Sequence, residues 1–137
     1  MKDEDTSFAL SLIGKPWVSG ASGPDSFNCW GLVRYCFAER KGIILPQFSG
    51  IDEVSLSKLV RTAESQALEH WEEILKPEHF AVVGMSTNLR ISHVGLWLDI
   101  DGGGIFHSSS GSGVVFQSIQ TIRQNGIQLF KFYKKRS

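Results

Sequence analysis

A chain of 137 residues with a hydrophobic share of 42% and a charged share of 20% suits one globular domain and is too short for two. Its formal net charge is zero, so nothing in the composition suggests the basic surface typical of nucleic-acid-binding domains. No apolar run approaches the roughly 20 residues of a membrane span, and the polar start, residues 1–5, does not have the pattern of a secretory signal. The composition therefore predicts a single domain over residues 1–137, with neither nucleic acid nor membrane as a partner.

The chain opens with a short helical pattern and a turn-rich loop. Residues 6–13 have the pattern of an amphipathic helix, with Thr6 or Ser7 as its cap and Gly14 as its end. Residues 14–28 are rich in glycine, proline and serine, which favour turns. We therefore expect a loop between this helix and the next one.

Two further helical patterns follow the loop. The first runs from Cys29 to about Lys41, and Gly42 ends it. The second lies within residues 51–75, where an apolar face at helical spacing extends to Trp71. The first half of the chain is thus predicted to be helical.

The second half alternates between apolar and other residues, as strands do. Between Ser92 and Ile100 one face would carry His93, Gly95 and Trp97, and the other Val94, Leu96 and Leu98. A short apolar run at 81–83 precedes this strand, a hairpin signal follows at 101–104, and further strands are predicted at 105–108, 113–119 and 128–134. The order of elements predicts an α+β domain, with N-terminal helices packed on a C-terminal antiparallel β-sheet.

Cys29 begins the second helix, directly after turn and cap residues that end in Asn28. A thiol in a first helical turn lies at the positive end of the helix dipole, which favours the nucleophilic thiolate. Cys36 lies seven residues further along, about 10 Å of helical rise away and beyond the reach of a disulfide. We interpret Cys36 as a core residue and Cys29 as a candidate nucleophile.

His93 and His107 are candidates for the base that such a nucleophile needs. Gly95 lies on the strand face of His93 and leaves room for another group, for which we expect the N-terminus of the Cys29 helix. The hairpin after His93 brings the strand with His107 alongside. His107 can then orient the His93 imidazole and leave its other nitrogen for the thiol.

Each of these residues also has a structural interpretation, because a single cysteine in a helix or a single histidine on a strand usually belongs to the core. Their combination favours the catalytic interpretation. No spacing typical of a zinc site occurs, so no metal is expected. His70 and His79 flank a predicted helix end, and we interpret them as surface or capping residues.

Four motifs between about Phe8 and Tyr133 are typical of one family: Gly14-Lys15-Pro16-Trp17, Asn28-Cys29-Trp30-Gly31-Leu32-Val33, His93-Val94-Gly95-Leu96-Trp97 and His107. With them the chain resembles the NlpC-type cell-wall cysteine peptidases, which have a papain-like core. It is most similar to members associated with phage and prophage tails. The features behind that similarity are Trp30, His107-Ser108, Gly111-Ser112-Gly113-Val114-Val115 and Phe132-Tyr133.

The resemblance implies a papain-like NlpC-type fold and a cysteine peptidase that needs no cofactor. The implied reaction is hydrolysis of amide bonds in peptidoglycan stem peptides, of the D-γ-glutamyl–diamino acid type. The implied catalytic residues are Cys29, His93 and His107, and the implied oxyanion or substrate-binding residues are Trp17, Asn28, Trp30 and Ser108. Trp17 replaces the usual tyrosine of the family, and Asn28 the usual aspartate.

The implied partners are peptidoglycan stem peptides and, for a tail-associated member, phage tail proteins. Without a signal peptide, we expect synthesis in a bacterial cytoplasm and incorporation into a phage tail or virion, although a cytoplasmic role in recycling wall peptides fits as well. Two alternatives stay open: a structural tail-assembly protein that keeps the fold without the chemistry, and acyl transfer or deamidation through the same acyl-enzyme.

Overall fold

The computed structural model describes residues 2–45, 71–86 and 93–135. Its helices are α1 (Lys2–Leu12), α2 (Cys29–Lys41) and α3 (Ile119–Gln124). Its strands are β1 (Trp71–Ile74), β2 (Val82–Ser86), β3 (His93–Leu98), β4 (Gly104–Ser109), β5 (Gly113–Gln117) and β6 (Leu129–Lys135). All strand pairs are antiparallel, in one sheet of order β1-β6-β2-β3-β4-β5. The predicted α+β arrangement is confirmed. Among the described helices, none is long and apolar enough to cross a membrane.

Helix α2 begins and ends at the predicted residues because both of its caps are local. The Asn28 side chain accepts a hydrogen bond from the Gly31 N–H at 2.6 Å. Gly42 ends the helix in the left-handed conformation, with φ at 67°. A Cβ atom at Gly31 would overlap the carbonyl oxygen of Ala21, so glycine lets the preceding loop approach the first turn of the helix.

Helix α1 begins earlier than predicted. It starts at Lys2 rather than at residue 6, and its first turn contains Asp3, Glu4 and Asp5. Carboxylates stabilise the positive end of a helix, so this acidic run belongs to the helix and does not precede it. Gly14, with φ at 92°, follows the end of the helix as expected.

Two other boundaries were predicted wrongly. Residues 71–74, placed in the predicted helical region of residues 51–75, form strand β1 and pair with β6; residues 51–70 of that prediction lie outside the described residues. The strand predicted over 113–119 ends at Gln117, because the Ser118 hydroxyl accepts from the Thr121 N–H at 3.1 Å and caps helix α3.

Both faces of the sheet are covered. The face toward α1 and α2 carries one buried cluster, to which the sheet contributes Val82, Val94, Leu96, Leu98, Phe106 and Val114. The opposite face carries a second cluster of Ala81, Val83, Met85, Trp97, Ile105 and Ile122, the last from α3. The predicted alternation along β3 is confirmed, and the face that carries Trp97 is also buried.

An ionic cluster around Asp5 connects α1 to the rest of the fold. Asp5 is 3% exposed and accepts hydrogen bonds from Arg40 Nε at 2.8 Å and from His79 Nε2 at 2.9 Å. Burial raises the pKa of Asp5, but these hydrogen bonds and the charge of Lys41 lower it by more, so it lies below its usual value. His79 also accepts from the Asp99 N–H, so it joins α1 to the residue that follows β3. The prediction of a surface or capping residue was wrong for His79. His70 lies outside the described residues.

Replacing Asp5 with asparagine should lower the free energy of unfolding by about 1–3 kcal/mol, because two charge-assisted hydrogen bonds to a buried carboxylate weaken together. Urea unfolding measures the change. Asp3→Asn is the matched control, since Asp3 is exposed in the same first turn. Equal unfolding midpoints for the two variants would contradict the role assigned to Asp5.

Candidate active site

The loop before α2 is held against the edge of the sheet. The Gly14 N–H donates to the Val114 carbonyl, and the Val114 N–H donates to the Lys15 carbonyl, each at 2.9 Å. Gly113 has φ at 73°, and a Cβ atom there would overlap the Lys15 carbonyl. Strand β5 can therefore accept the loop only because glycine stands at its first residue.

Trp17 lies in this loop, beside the residues that lead into α2. It is partly exposed and forms a β-bridge with Phe27. The Phe27 N–H donates to the Pro16 carbonyl at 3.0 Å, and the Phe27 carbonyl accepts from the Val18 N–H at 3.3 Å. The backbone on either side of Trp17, the predicted oxyanion residue, is thus bound to Phe27, which lies two positions before Cys29.

A third hydrogen bond of Phe27 joins the residues before α2 to the sheet. Ser108 is fully buried, and its hydroxyl donates to the Phe27 carbonyl at 2.8 Å. Ser108 directly follows His107 in β4, and Phe27 lies two residues before Cys29. This bond therefore brings the first turn of α2 beside the strand segment that carries His107.

The two cysteines occupy different environments in α2. Both are unbridged and buried, with Cys29 8% exposed as the first residue of the helix and Cys36 2% exposed in its middle. Burial raises the pKa of the Cys36 thiol to about 12, and the charge of Asp5 adds to this. Cys36 is the core residue that its position on the apolar stripe predicted.

His93 and His107 are in direct contact at one end of the sheet. His93 is the first residue of β3 and His107 lies near the end of the antiparallel β4, so both lie at the end of the sheet where the Ser108 hydroxyl bonds to Phe27. His93 Nε2 lies 2.8 Å from His107 Nδ1, and the two rings meet edge to face at 78°. The expected contact between the two histidines is present.

The space beside Gly95 has a different occupant from the one expected. A Cβ atom there would lie 2.7 Å from Ile105 Cγ2 and 2.9 Å from His107 Cβ. The missing side chain therefore makes room for β4, and not for the N-terminus of α2 as predicted. Because His107 itself fills part of that room, Gly95 supports the site indirectly.

Gln117 belongs to the same hydrogen-bonded chain, and sequence reasoning missed it. Its Oε1 lies 2.9 Å from His107 Nε2. In the register of β4 and β5, His107 pairs with Val115 and Ile105 pairs with Gln117, so Gln117 is the diagonal neighbour of His107 on the same face. The available signal was a long polar side chain ending the otherwise apolar strand Gly113–Gln117.

Burial keeps both histidines neutral at neutral pH as long as no anion lies beside them. Burial lowers the pKa of His93 to about 3, and the neighbouring His107 adds to the shift. Burial also lowers the pKa of His107, and the hydrogen bond to Gln117 offsets part of that effect. His93 is therefore available as a proton acceptor over the whole neutral range.

These shifts predict that acid destabilises the fold. Below pH 6.5 the unfolded chain binds protons at both histidines, whereas folded His93 takes one up only near pH 3, so the free energy of unfolding falls as the pH falls. We expect a loss of about 2 kcal/mol at pH 5 from His93 alone, measured by urea unfolding at pH 7 and pH 5. His93→Gln should show a smaller loss. An identical loss in that variant would contradict the assignment.

The remaining predicted site residues are buried. Asn28 and Trp30 are 8% and 6% exposed, Ser108 is fully buried, and Asn28 and Ser108 are engaged in the hydrogen bonds described above. They shape the start of α2 and its junction with β4. A direct contact of these three with substrate stays a prediction, as do the catalytic roles of Cys29, His93 and His107.

Comparison of the sequence with known proteins identifies relatives over most of the chain. Residues 14–129 match the family model described as NlpC/P60 family. The chain is 32% identical over 111 residues to the probable endopeptidase p60 of Listeria innocua, an alignment that covers 81% of this chain and 20% of that protein. The p60 protein of Listeria monocytogenes is equally similar, with 19% of its length covered. The chain thus spans about a fifth of the length of the curated relatives it matches.

Solved structures share the fold. The NlpC/p60 domain of the peptidoglycan hydrolase SagA superposes with a TM-score of 0.63 at 17% identity, covering 96% of this chain and 97% of that one. NlpC2 from Trichomonas vaginalis superposes with a TM-score of 0.60 at 21% identity, covering 88% of this chain and 42% of that one. These matches confirm the papain-like α+β fold. Because the family model spans residues 14–129, the chain belongs to the NlpC/P60 family.

Proposed function

We propose that this chain is a cysteine peptidase that hydrolyses amide bonds in peptidoglycan stem peptides. The observation that carries the proposal is the His93–His107 pair, at 2.8 Å, at the end of the sheet that Ser108 joins to the residues before Cys29. The names of relatives support the substrate class: p60 is described as a probable endopeptidase and SagA as a peptidoglycan hydrolase. The nucleophile, the base and the orienting residue are Cys29, His93 and His107.

In the proposed reaction His93 takes the proton of the Cys29 thiol, and the thiolate sulfur attacks the carbonyl carbon of the amide. The positive end of α2 stabilises both the thiolate and the oxyanion of the tetrahedral intermediate. The carbon–nitrogen bond then breaks, and the His93 proton goes to the leaving amine. Water next attacks the thioester with His93 as base, which releases a carboxylic acid and restores the thiol.

Burial of the histidine pair suits this cycle. A solitary imidazolium is costly at His93, as its lowered pKa indicates, so the protonated form is favoured chiefly while the thiolate or oxyanion lies beside it. The proton is therefore held briefly and passed on to the leaving amine. Neutral His107 accepts from the His93 N–H and stabilises the cation without adding a charge.

For the scissile bond we propose the link from D-γ-glutamate to the diamino acid of the stem. This finer assignment depends on the resemblance of the motifs around Cys29 and His93 to NlpC-type peptidases. The turn between β4 and β5 is exposed and contains small hydroxylated residues, Ser110 and Ser112, which suit a short polar substrate.

We further propose that the protein acts with phage tail proteins, as a tail-borne wall peptidase. The support is the motif pattern alone: His107-Ser108, the glycines before Val114, and Phe132-Tyr133 in β6. On the same fold, a structural tail protein without activity is the alternative outcome.

Digestion of purified muropeptides tests the proposed reaction. Stem peptides with diaminopimelate or with lysine are incubated with the protein and with Cys29→Ala, and the products are identified by mass spectrometry. We expect cleavage with uptake of one water per bond, and only with the wild type. Transfer of the acyl group to an added amine, or release of ammonia, would instead indicate one of the other acyl-enzyme reactions. Absence of any product on either stem type would favour the structural role.

A further inference from the structure

Gln117 ends a line of three hydrogen-bonded side chains, His93, His107 and Gln117. His93 Nε2 lies 2.8 Å from His107 Nδ1, and His107 Nε2 lies 2.9 Å from Gln117 Oε1. His107 is 4% exposed, so both of its ring nitrogens are satisfied inside the protein by these two neighbours. Gln117 is partly exposed at the end of β5, an edge strand of the sheet.

The identity of the Gln117 atom determines where the protons lie. A carbonyl oxygen only accepts, so His107 Nε2 must carry a proton. In the neutral ring His107 Nδ1 is then an acceptor, and the facing His93 Nε2 must donate. Neutral His93 consequently has its unprotonated nitrogen at Nδ1, the one that does not face His107. If an amide N–H met His107 instead, every proton would shift and His93 Nδ1 would carry hydrogen.

We propose that Gln117 is a positioning residue that fixes the tautomers of His107 and His93, so that His93 Nδ1 is left as the proton acceptor for the thiol. The inference rests on the proposed function, because it assigns a base to the thiol reaction. Gln117 acts through His107 and does not touch the reacting atoms. Its role resembles that of a hydrogen-bond acceptor that holds a catalytic imidazole in one tautomer.

Two substitutions separate this role from simple packing. Gln117→Glu keeps an acceptor-only oxygen in place, so both histidines should keep their Nε2–H tautomers. Gln117→Met has similar length but no strong acceptor, so the tautomer preference should be lost. Gln120→Met is the matched control, because Gln120 is exposed on α3 and lies outside the line of His93, His107 and Gln117.

Nitrogen-15 NMR of the imidazole rings at pH 7 reads the tautomers directly, without any substrate. We expect Nε2–H for His93 and His107 in the wild type, in Gln117→Glu and in Gln120→Met, and mixed tautomers in Gln117→Met. In parallel, kcat on stem peptides should fall about five- to tenfold in Gln117→Met with KM unchanged, the size expected for loss of one hydrogen bond. Gln117→Glu should retain most of the activity.

A wild-type protein with hydrogen on His107 Nδ1 would overturn the inference, even if Gln117→Met fails to fold. A folded Gln117→Met variant that keeps the tautomers and the kcat of the wild type would also overturn the inference. These outcomes differ from failure of the proposed function: the expected tautomers without any peptide hydrolysis would refute the peptidase and leave the tautomer control by Gln117 intact.

Discussion

Replacing Cys29 with alanine should abolish hydrolysis of stem peptides, with a decrease in kcat/KM of roughly 10⁴-fold or more. The proposed cycle passes through a thioester on this sulfur, and the described part of the chain has no second thiol at a helix N-terminus. The fold should persist, because the change deletes one atom from a helix held by the Asn28 and Gly42 caps. Initial rates on purified muropeptides and urea unfolding together measure both effects.

Cys36→Ala is the matched control for this result. It removes the same atom from the same helix, at a buried thiol whose pKa is raised to about 12 and which is therefore not a nucleophile. Activity should be retained, and any loss should be confined to stability. Full activity in Cys29→Ala, or equal inactivation in both variants, would contradict Cys29 as the nucleophile.

His93→Ala should reduce kcat by roughly 10²- to 10⁴-fold, the usual contribution of a general base. His107→Ala should reduce it less, because His107 only orients the imidazole that moves the proton. Rates at saturating substrate near pH 7 give the comparison. His79→Ala is a suitable control, since His79 is another hydrogen-bonded histidine that contacts Asp5 rather than the site.

Small and equal effects of His93→Ala and His107→Ala would refute the proposed division of roles. A larger loss in His107→Ala than in His93→Ala would exchange the two roles. Urea unfolding of each variant must accompany the rates, because both side chains are enclosed by the fold.

The parts of the fold that local interactions determine were predictable from the sequence. The first and last residues of helix α2 could be predicted because Asn28 and Gly42 act within one turn of its ends. The contact of His93 with His107 followed from a hairpin whose glycines join two strands at short range. In both cases the information lies within a few residues of the feature.

The missed parts depend on partners that are distant in sequence. Trp71 has apolar neighbours at helical spacing, yet residues 71–74 are extended because β6 provides their hydrogen bonds from more than fifty residues away. Gln117 became recognisable only with the register of β4 and β5, which places it diagonal to His107. The room at Gly95 was predictable, but its occupant depended on the approach of β4.

The pairing of Cys29 with His93 is the central claim, and the pH dependence of Cys29 alkylation tests it most directly. The rate with iodoacetamide would be followed in the wild type, in His93→Ala and in Cys36→Ala, with the modified residue identified by mass spectrometry. We expect an inflection well below the usual thiol pKa of about 8.5 in the wild type and in Cys36→Ala, and a shift toward that value in His93→Ala. An ordinary inflection in the wild type, or one that His93→Ala leaves unchanged, would contradict the pairing.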